Sequence, residues 1–132
     1  MGLDLPLTLH CHCLAARRHA RGVTRHYETR LRRHGLRATQ FSILAALALA
    51  RPQPLGELAE VLGLERTTLT RSAALLERNG WVRSERSADG RERHLSLTAA
   101  GLDKLEAAYP AWQAAQDSFA ATFPETPVPL SR

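Results

Sequence analysis

The stretch LGELAEVLGLERTTLTRSAALLERNGWVRSERSADGRERHLSL, residues 55–97, changes its hydrophobic period once, and that change decides the fold. In the first part Leu55, Leu58, Ala59 and Leu62 form one stripe, which predicts a helix over 55–62 that Gly63 ends. A second helix begins near Glu65 and stops at Asn79-Gly80. On a 100° wheel Leu69, Ala73 and Leu76 share its inner side, and Thr67, Arg71, Ala74 and Arg78 share the opposite one. Two helices joined by a tight glycine turn make a helix-turn-helix. The outer face carries two arginines, a hydroxyl, a small residue and no acid. Such a face suits a major groove: arginine for guanine, threonine for phosphate or the thymine methyl, alanine for clearance. A solvated helix face is the ordinary explanation of such a surface, and the segment after the helix weighs against it. Beyond Gly80 the period becomes 2. Trp81 to Ser87 reads as a strand, Ser87-Ala-Asp-Gly90 as a turn, and Arg91 to Leu97 as a return strand with Leu95 and Leu97 on one face. The hairpin carries Arg83, Arg86, Arg91 and Arg93. A basic hairpin directly after such a helix is a wing, whose tip can place an arginine in a minor groove.

Outward from this centre the chain is helical. Ala16, Ala20, Val23, Tyr27 and Leu31 recur at three- and four-residue steps, predicting a first helix from about Thr8 to His34 with Gly35 as its stop. Roughly 25 helical residues span about 38 Å, more than a small domain needs, so part of this helix is expected to reach a second subunit. Thr39 is the predicted N-cap of a buried helix over Gln40 to Ala50, and Arg51-Pro-Gln-Pro54 breaks the chain after it. Thr98 caps a last helix to about Phe123, with Leu102, Leu105, Tyr109, Trp112 and Phe119 on its apolar side. Pro110 is expected to kink or divide it. Tyr109, Trp112 and Phe119 suit either a subunit interface or the first helix of the same chain. The proline-containing stretch 124–132 reads as a flexible tail. The whole is one mainly α chain with a small β-hairpin. Residues 39–97 form a winged helix-turn-helix, and helices at about 8–34 and 98–123 serve dimerisation.

Composition narrows the function. The chain has 132 residues, enough for one domain, with 44% apolar and 23% charged residues. Its 18 basic residues against 13 acidic give a formal charge of +5, and Lys104 is the single lysine. Arginine is always charged and offers a planar fork of donors that matches phosphate and guanine edges. The first 50 residues hold eight arginines and two acids, so the positive charge is concentrated there. The longest apolar run, Ile43 to Ala50, is too short for a membrane span. No basic-then-apolar leader is present, which predicts a cytoplasmic protein. There is no phosphate-cradling glycine loop, no His-Glu-x-x-His and no serine nucleophile elbow, so neither an enzyme nor a cofactor is expected.

The ordered set of motifs resembles the MarR family of winged-helix regulators over about residues 13–120. Its specific parts are Leu55 to Gly63, Thr67-Thr-Leu-Thr-Arg71, Leu76-Glu-Arg-Asn-Gly-Trp-Val82, Asp89-Gly-Arg91, Leu95-Ser-Leu-Thr98 and Gly101. The resemblance implies a homodimer built from the terminal helices, on a pseudo-palindromic double-stranded DNA operator, usually a repressor released by a small molecule or an oxidant. It places Thr67, Thr68 and Arg71 on the recognition helix and Asp89 with Arg91 at the wing. Arg78 and Arg93 extend the DNA-binding set on their basic character. The sequence departs from the family at its C-terminus, where the proline-containing tail replaces a further dimerisation helix.

His10-Cys11-His12-Cys13 is the unusual segment. Cys13 begins the first helix and Tyr27 lies 14 residues later, a spacing similar to that of the MarR branch that senses organic hydroperoxides with one cysteine. The tyrosines that activate the thiol in that branch are replaced here by Arg17 and Ala38. Arg17, one turn past Cys13, and the helix N-terminus both favour a thiolate. Other readings stay open: a metal-responsive regulator using the His10–Cys13 cluster, for which adjacent ligands suit a shared site better than a closed one; an intersubunit disulfide through Cys11; a thiol-dependent peroxidase; or inert thiols. Arg17, Arg21 and Arg25 form an i, i+4, i+8 row that is either phosphate-facing, pocket-lining or simply solvated.

Overall fold

The computed structural model describes residues 2–50 and 52–124. A short 3-10 turn, Leu5–His10, precedes α1 (His12–Leu31), and a second one, Arg32–His34, follows it. Then come α2 (Ala38–Leu49), β1 (Gln53–Pro54), α3 (Leu55–Leu62), α4 (Arg66–Arg78), β2 (Val82–Arg86), β3 (Arg93–Leu97) and α5 (Ala99–Thr122). The three strands form an antiparallel sheet in the order β1-β3-β2, with Val82 opposite Leu97 and Ser84 opposite Leu95. The fold is mainly helical with a small sheet, as the sequence predicts.

The core sits where the two periods meet. Leu55, Leu58 and Ala59 of α3, Leu69, Ala73 and Leu76 of α4, and Val82 and Leu95 of the hairpin are buried together with Phe41, Ile43, Leu44 and Leu47 of α2. Leu31 closes it from α1, and Leu105 and Ala108 from α5. Helix α5 packs on α1, where Phe119 meets His26 and Tyr27, and on α2, where Trp112 stacks on Phe41 with centroids 5.7 Å apart.

Several expectations need correction. The first helix does not begin at Thr8. Asp4 accepts a hydrogen bond from the Leu7 amide, Pro6 favours an early turn, and Thr8 donates back to Leu5 O, so a 3-10 turn forms first. Cys11 is then extended, and the α-helix starts afresh at His12. Ala16 and Ala20, expected on the inner stripe, are exposed; of that stripe only Leu31 is buried, with Val23 and Tyr27 half-buried. The N-cap of α2 is Arg37, not Thr39. Oxygens from elsewhere satisfy the first amides: Gln40 Oε1 accepts from Arg37 N at 2.9 Å, and Glu28 Oε2 accepts from Ala38 N at 2.9 Å. The predicted break after α2 contains β1, whose two residues are too few to show a period. Pro54 fits there because β1 is an edge strand. Pro110 does not divide α5, which runs through it as one helix. On that helix's expected apolar side, Leu102 and Tyr109 are exposed, Tyr109 at 49%. Of the tail expected over 124–132, residues 125–132 lie outside the described residues.

Candidate nucleic-acid interface

The helix-turn-helix is set by its turn. Gly63 takes φ 65°, a left-handed conformation that favours glycine, and the chain folds back as Leu64 N–H donates to Ala59 O at 2.9 Å. This aims α4 across α3. With Leu69, Ala73 and Leu76 buried, Thr67, Thr68, Arg71, Ala74 and Arg78 lie away from the core, and the two threonines and two arginines are exposed. Among the described residues, the side chains of Thr67, Thr68, Arg71 and Arg78 make no hydrogen bond or ion pair within the chain, so their donors are free for a partner.

The wing is tied to α4 at its root. Glu77 Oε2 accepts from Ser84 N at 3.1 Å. Thr98 N–H donates to Trp81 O at 3.1 Å, and Thr98 Oγ1–H donates to Gly80 O at 2.6 Å. The same Thr98 hydroxyl accepts from Gly101 N at 3.0 Å and so caps α5. Gly101 is buried, and a Cβ there would lie 2.0 Å from Trp81 O. The motif Thr98-x-x-Gly101 is therefore a joint: α5 starts flush against the carbonyl at which the wing begins.

The wing tip is organised by one carboxylate. Asp89 Oδ1 accepts from Ser87 Oγ at 2.6 Å and from Arg91 N at 3.1 Å, and Asp89 Oδ2 lies 3.8 Å from Arg91 Nε. The Ser87 hydroxyl, then the Arg91 amide, hold the Asp89 carboxyl below the usual carboxylate range. Gly90 supplies the positive φ of the turn, 74°. The four hairpin arginines then diverge in role. Arg86 Nη1 donates to Gly90 O at 3.0 Å and braces the turn, while Arg93 Nε donates to Ser84 Oγ at 3.0 Å across the strands. Arg83 lies 3.9 Å from Glu85. Arg91 projects at the tip with 84% of its side chain exposed. The Arg93 fork thus already has a partner inside the wing, unlike that of Arg71.

At the other end of the molecule both cysteines are free thiols and exposed. Arg17 Nη2 approaches Cys13 Sγ at 3.6 Å, the contact expected from one helical turn. Tyr27 is not brought to Cys13 within the chain. Fourteen residues of helix separate them by about 21 Å, and the Tyr27 hydroxyl donates to Gln116 Oε1 at 2.5 Å. Burial raises its pKa. The His10–Cys13 segment bends at Cys11, and among the described residues no three His, Cys, Asp or Glu side chains converge on a metal-sized site.

Sequence reading gave no site role to Ser87, Glu28, Glu77 or His26, the last read as a surface or core histidine. Ser87 was legible as a hydroxyl two residues before the turn aspartate. Glu28, Glu77 and His26 act through contacts distant in sequence; His26 Nε2 lies 2.8 Å from Ala115 O, between the Tyr27, Phe119 and Phe123 rings.

A sequence model of the MarR family matches residues 36–92, which holds α2 through the wing turn. A curated relative, an uncharacterised HTH-type transcriptional regulator YwoH of Bacillus subtilis (strain 168), is 33% identical over 87 residues. That match covers 66% of this chain and 64% of YwoH. Among solved structures, the M. tuberculosis transcriptional regulator MosR in complex with DNA is 40% identical, with a TM-score of 0.79 over 89% of this chain and 86% of that one. Reduced AbfR bound to DNA is 29% identical, with a TM-score of 0.71 over 86% of this chain and 80% of that one.

Proposed function

The chain belongs to the MarR family of transcriptional regulators, and we propose that it binds a pseudo-palindromic operator in double-stranded DNA as a homodimer, represses transcription there, and lets go when Cys13 is oxidised. The matched family and neighbours are regulators, not enzymes, which removes the peroxidase reading. The observation that carries DNA binding is the pairing of two unspent surfaces. Thr67, Thr68, Arg71 and Arg78 lie open on α4, and Arg91, steered by Asp89, projects from the wing joined to that helix. In this reading Arg71 reads a base edge, Thr67, Thr68 and Arg78 hold phosphates or bases beside it, and Arg91 enters the minor groove. Arg93 contributes positive charge at the wing.

Dimerisation is supported by apolar surface with nothing on it. Leu3, Leu5, Leu7 and Leu9 before α1, and Leu102 and Tyr109 on α5, are exposed in the single chain. Two α4 helices related by a two-fold axis reach half-sites about one helical turn, ~34 Å, apart.

The oxidant switch is supported by the Arg17–Cys13 contact and by the free, exposed thiol. The Cys13 sulfur attacks an organic hydroperoxide, the O–O bond breaks and an S–O bond forms. Sulfur is oxidised by two electrons to the sulfenic acid, and the alcohol leaves with the proton. A fluorescence-anisotropy titration against DNA from the protein's own upstream region tests both halves. The reduced protein should bind with a steep salt dependence, near −0.9 in log–log slope per phosphate contacted. One equivalent of organic hydroperoxide should abolish binding, a thiol should restore it, and Cys13→Ser should not respond. Binding indifferent to oxidant removes the switch and leaves the regulator. Binding to no fragment of that region, at low salt, removes that region as the operator.

A further inference from the structure

One side of α1 carries Arg17, Arg21 and Arg25, each one turn after the last. Like charges at this spacing destabilise a helix, so the row is costly unless something negative meets it. The row forms one wall of a groove of about 440 Å³, which Arg32 and Arg37 complete from the turn into α2, with Thr24 and Ala20 between. Among the described residues the groove's only acid is Glu28, and it is already committed: it accepts from Ala38 N at 2.9 Å and lies 3.5 Å from Arg37 Nε. Five arginines less Glu28 leave a net +4. Among the described residues the side chains of Arg21, Arg25 and Arg32 make no hydrogen bond or ion pair. The volume falls in the range of small-molecule sites, about 300–1,000 Å³.

We propose that this groove binds a small polyanion, a phosphorylated or polycarboxylate metabolite, as an effector of the regulator. Several guanidinium forks converging on one concavity match a compact molecule bearing two or more oxyanion groups. A DNA backbone presents a convex ridge with one charge per phosphate, and a concave site of this size holds little of it. The small residues Ala20 and Thr24 leave room between the arginines. The groove also has a mechanical outlet. Arg37 is the N-cap of α2, and Glu28 holds both Arg37 and the first amide of that helix. A ligand that draws Arg37 away from Glu28 loosens the start of α2, which packs against α4 and β3. At its far end the groove opens beside Cys13, through Arg17.

The site goes beyond the DNA-binding reading, and its occupancy is measured without DNA. Inorganic pyrophosphate and citrate are titrated into the reduced full-length protein by calorimetry, with ionic strength held constant by sodium chloride. Saturable binding at one site per chain is expected for at least one of them, and the tighter of the two names the ligand class. Arg21→Gln with Arg25→Gln should weaken it at least tenfold. Arg71→Gln with Arg78→Gln removes the same charge elsewhere and should leave it unchanged. Heats that do not saturate, or equal losses in both double variants, would reduce the groove to diffuse charge and overturn the proposal. So would a fall of about two phosphate contacts in the DNA salt slope of the Arg21/Arg25 variant, which would assign the row to DNA.

Discussion

Replacing Gly101 by alanine adds one methyl group at the joint between the wing and α5. That methyl would lie 2.0 Å from Trp81 O, 2.9 Å from Trp81 C and 2.8 Å from Leu97 Cδ1. Two of the three are backbone atoms that cannot rotate away, so α5 and the start of β2 must part by about 1.5 Å, given ordinary non-bonded contacts of roughly 3.5 Å. Parting them strains the bonds from Thr98 to Trp81 and Gly80. Overpacking of this kind costs about 1–3 kcal/mol and sometimes more. Against it stands the better helix propensity of alanine, worth about 1 kcal/mol. With the clash at the upper end, the net loss should be about 2 kcal/mol. In urea, with a slope of about 1–3 kcal/mol per molar, the midpoint should fall by about 1 M. Gly22→Ala is the internal control. Among the described residues its methyl would meet Phe123 alone, at 3.6 and 3.8 Å, which is ordinary contact. It should hold or raise the midpoint. Both are measured at one protein concentration, because association shifts apparent stability. If Gly101→Ala unfolds at the same urea concentration as Gly22→Ala, the joint has slack and the reasoning is wrong.

Three further perturbations separate the parts of the interface. Arg71→Ala should cost about 1–3 kcal/mol on the operator and little on random DNA, whereas Arg91→Ala should weaken both and reduce the salt slope by about one phosphate; anisotropy on the two DNAs reads the difference, and equal losses for Arg71→Ala would refute base reading. The Asp89 carboxyl titrates below its ordinary value, so its stabilisation of the wing turn is present above that ordinary value and disappears as pH falls through the depressed one. Followed by NMR at the Gly90 and Arg91 amides, Ser87→Ala should move that titration upward, because the serine hydroxyl is the largest cause of the depression; an unmoved midpoint would exclude it. Glu28→Gln loses its charge on Arg37 but keeps an oxygen for Ala38 N, whereas Glu28→Ala loses both and should destabilise the chain by about 1 kcal/mol more, in the range of a lost helix cap; thermal unfolding of the pair decides.

The legible part of this protein is the part whose information is local. Helix α3 has one apolar stripe and a glycine stop, and its bounds Leu55–Leu62 follow from those alone. The inner face of α4 and the turn of the hairpin are legible for the same reason: each element carries its own period and terminator. What escaped depends on distant partners. Thr39 looked like a cap because its side chain can be one, but the first amide of α2 is taken by Glu28, ten residues back. Tyr27 looked like a partner for Cys13 by spacing, and its hydroxyl is held by Gln116, 89 residues on. Pro110 looked like a break, yet proline removes a single donor, and a helix of 24 residues packed along α1 continues through it.

The same distinction applies to charge. Counting arginines says only that the surface is basic, and three sequence-equivalent arginines on the wing prove chemically unequal. Arg86 and Arg93 spend donors on Gly90 O and Ser84 Oγ, so they stiffen the hairpin. Arg91 is steered by a carboxylate at 3.8 Å but remains mostly in solvent, which aims it without exhausting its five donors. Around the groove beside α1 the division repeats: Arg37 is held by Glu28 and Arg17 reaches Cys13, while Arg21, Arg25 and Arg32 keep their forks open. An arginine bound inside the chain gains little from a new anion, because it must first give up a hydrogen bond. The open ones give up only water. Open arginines of this kind gather on two surfaces, the α4 face with the wing tip and the groove along α1. On the reading proposed above, the first surface meets the operator and the second, with its own chemistry, takes the polyanionic effector.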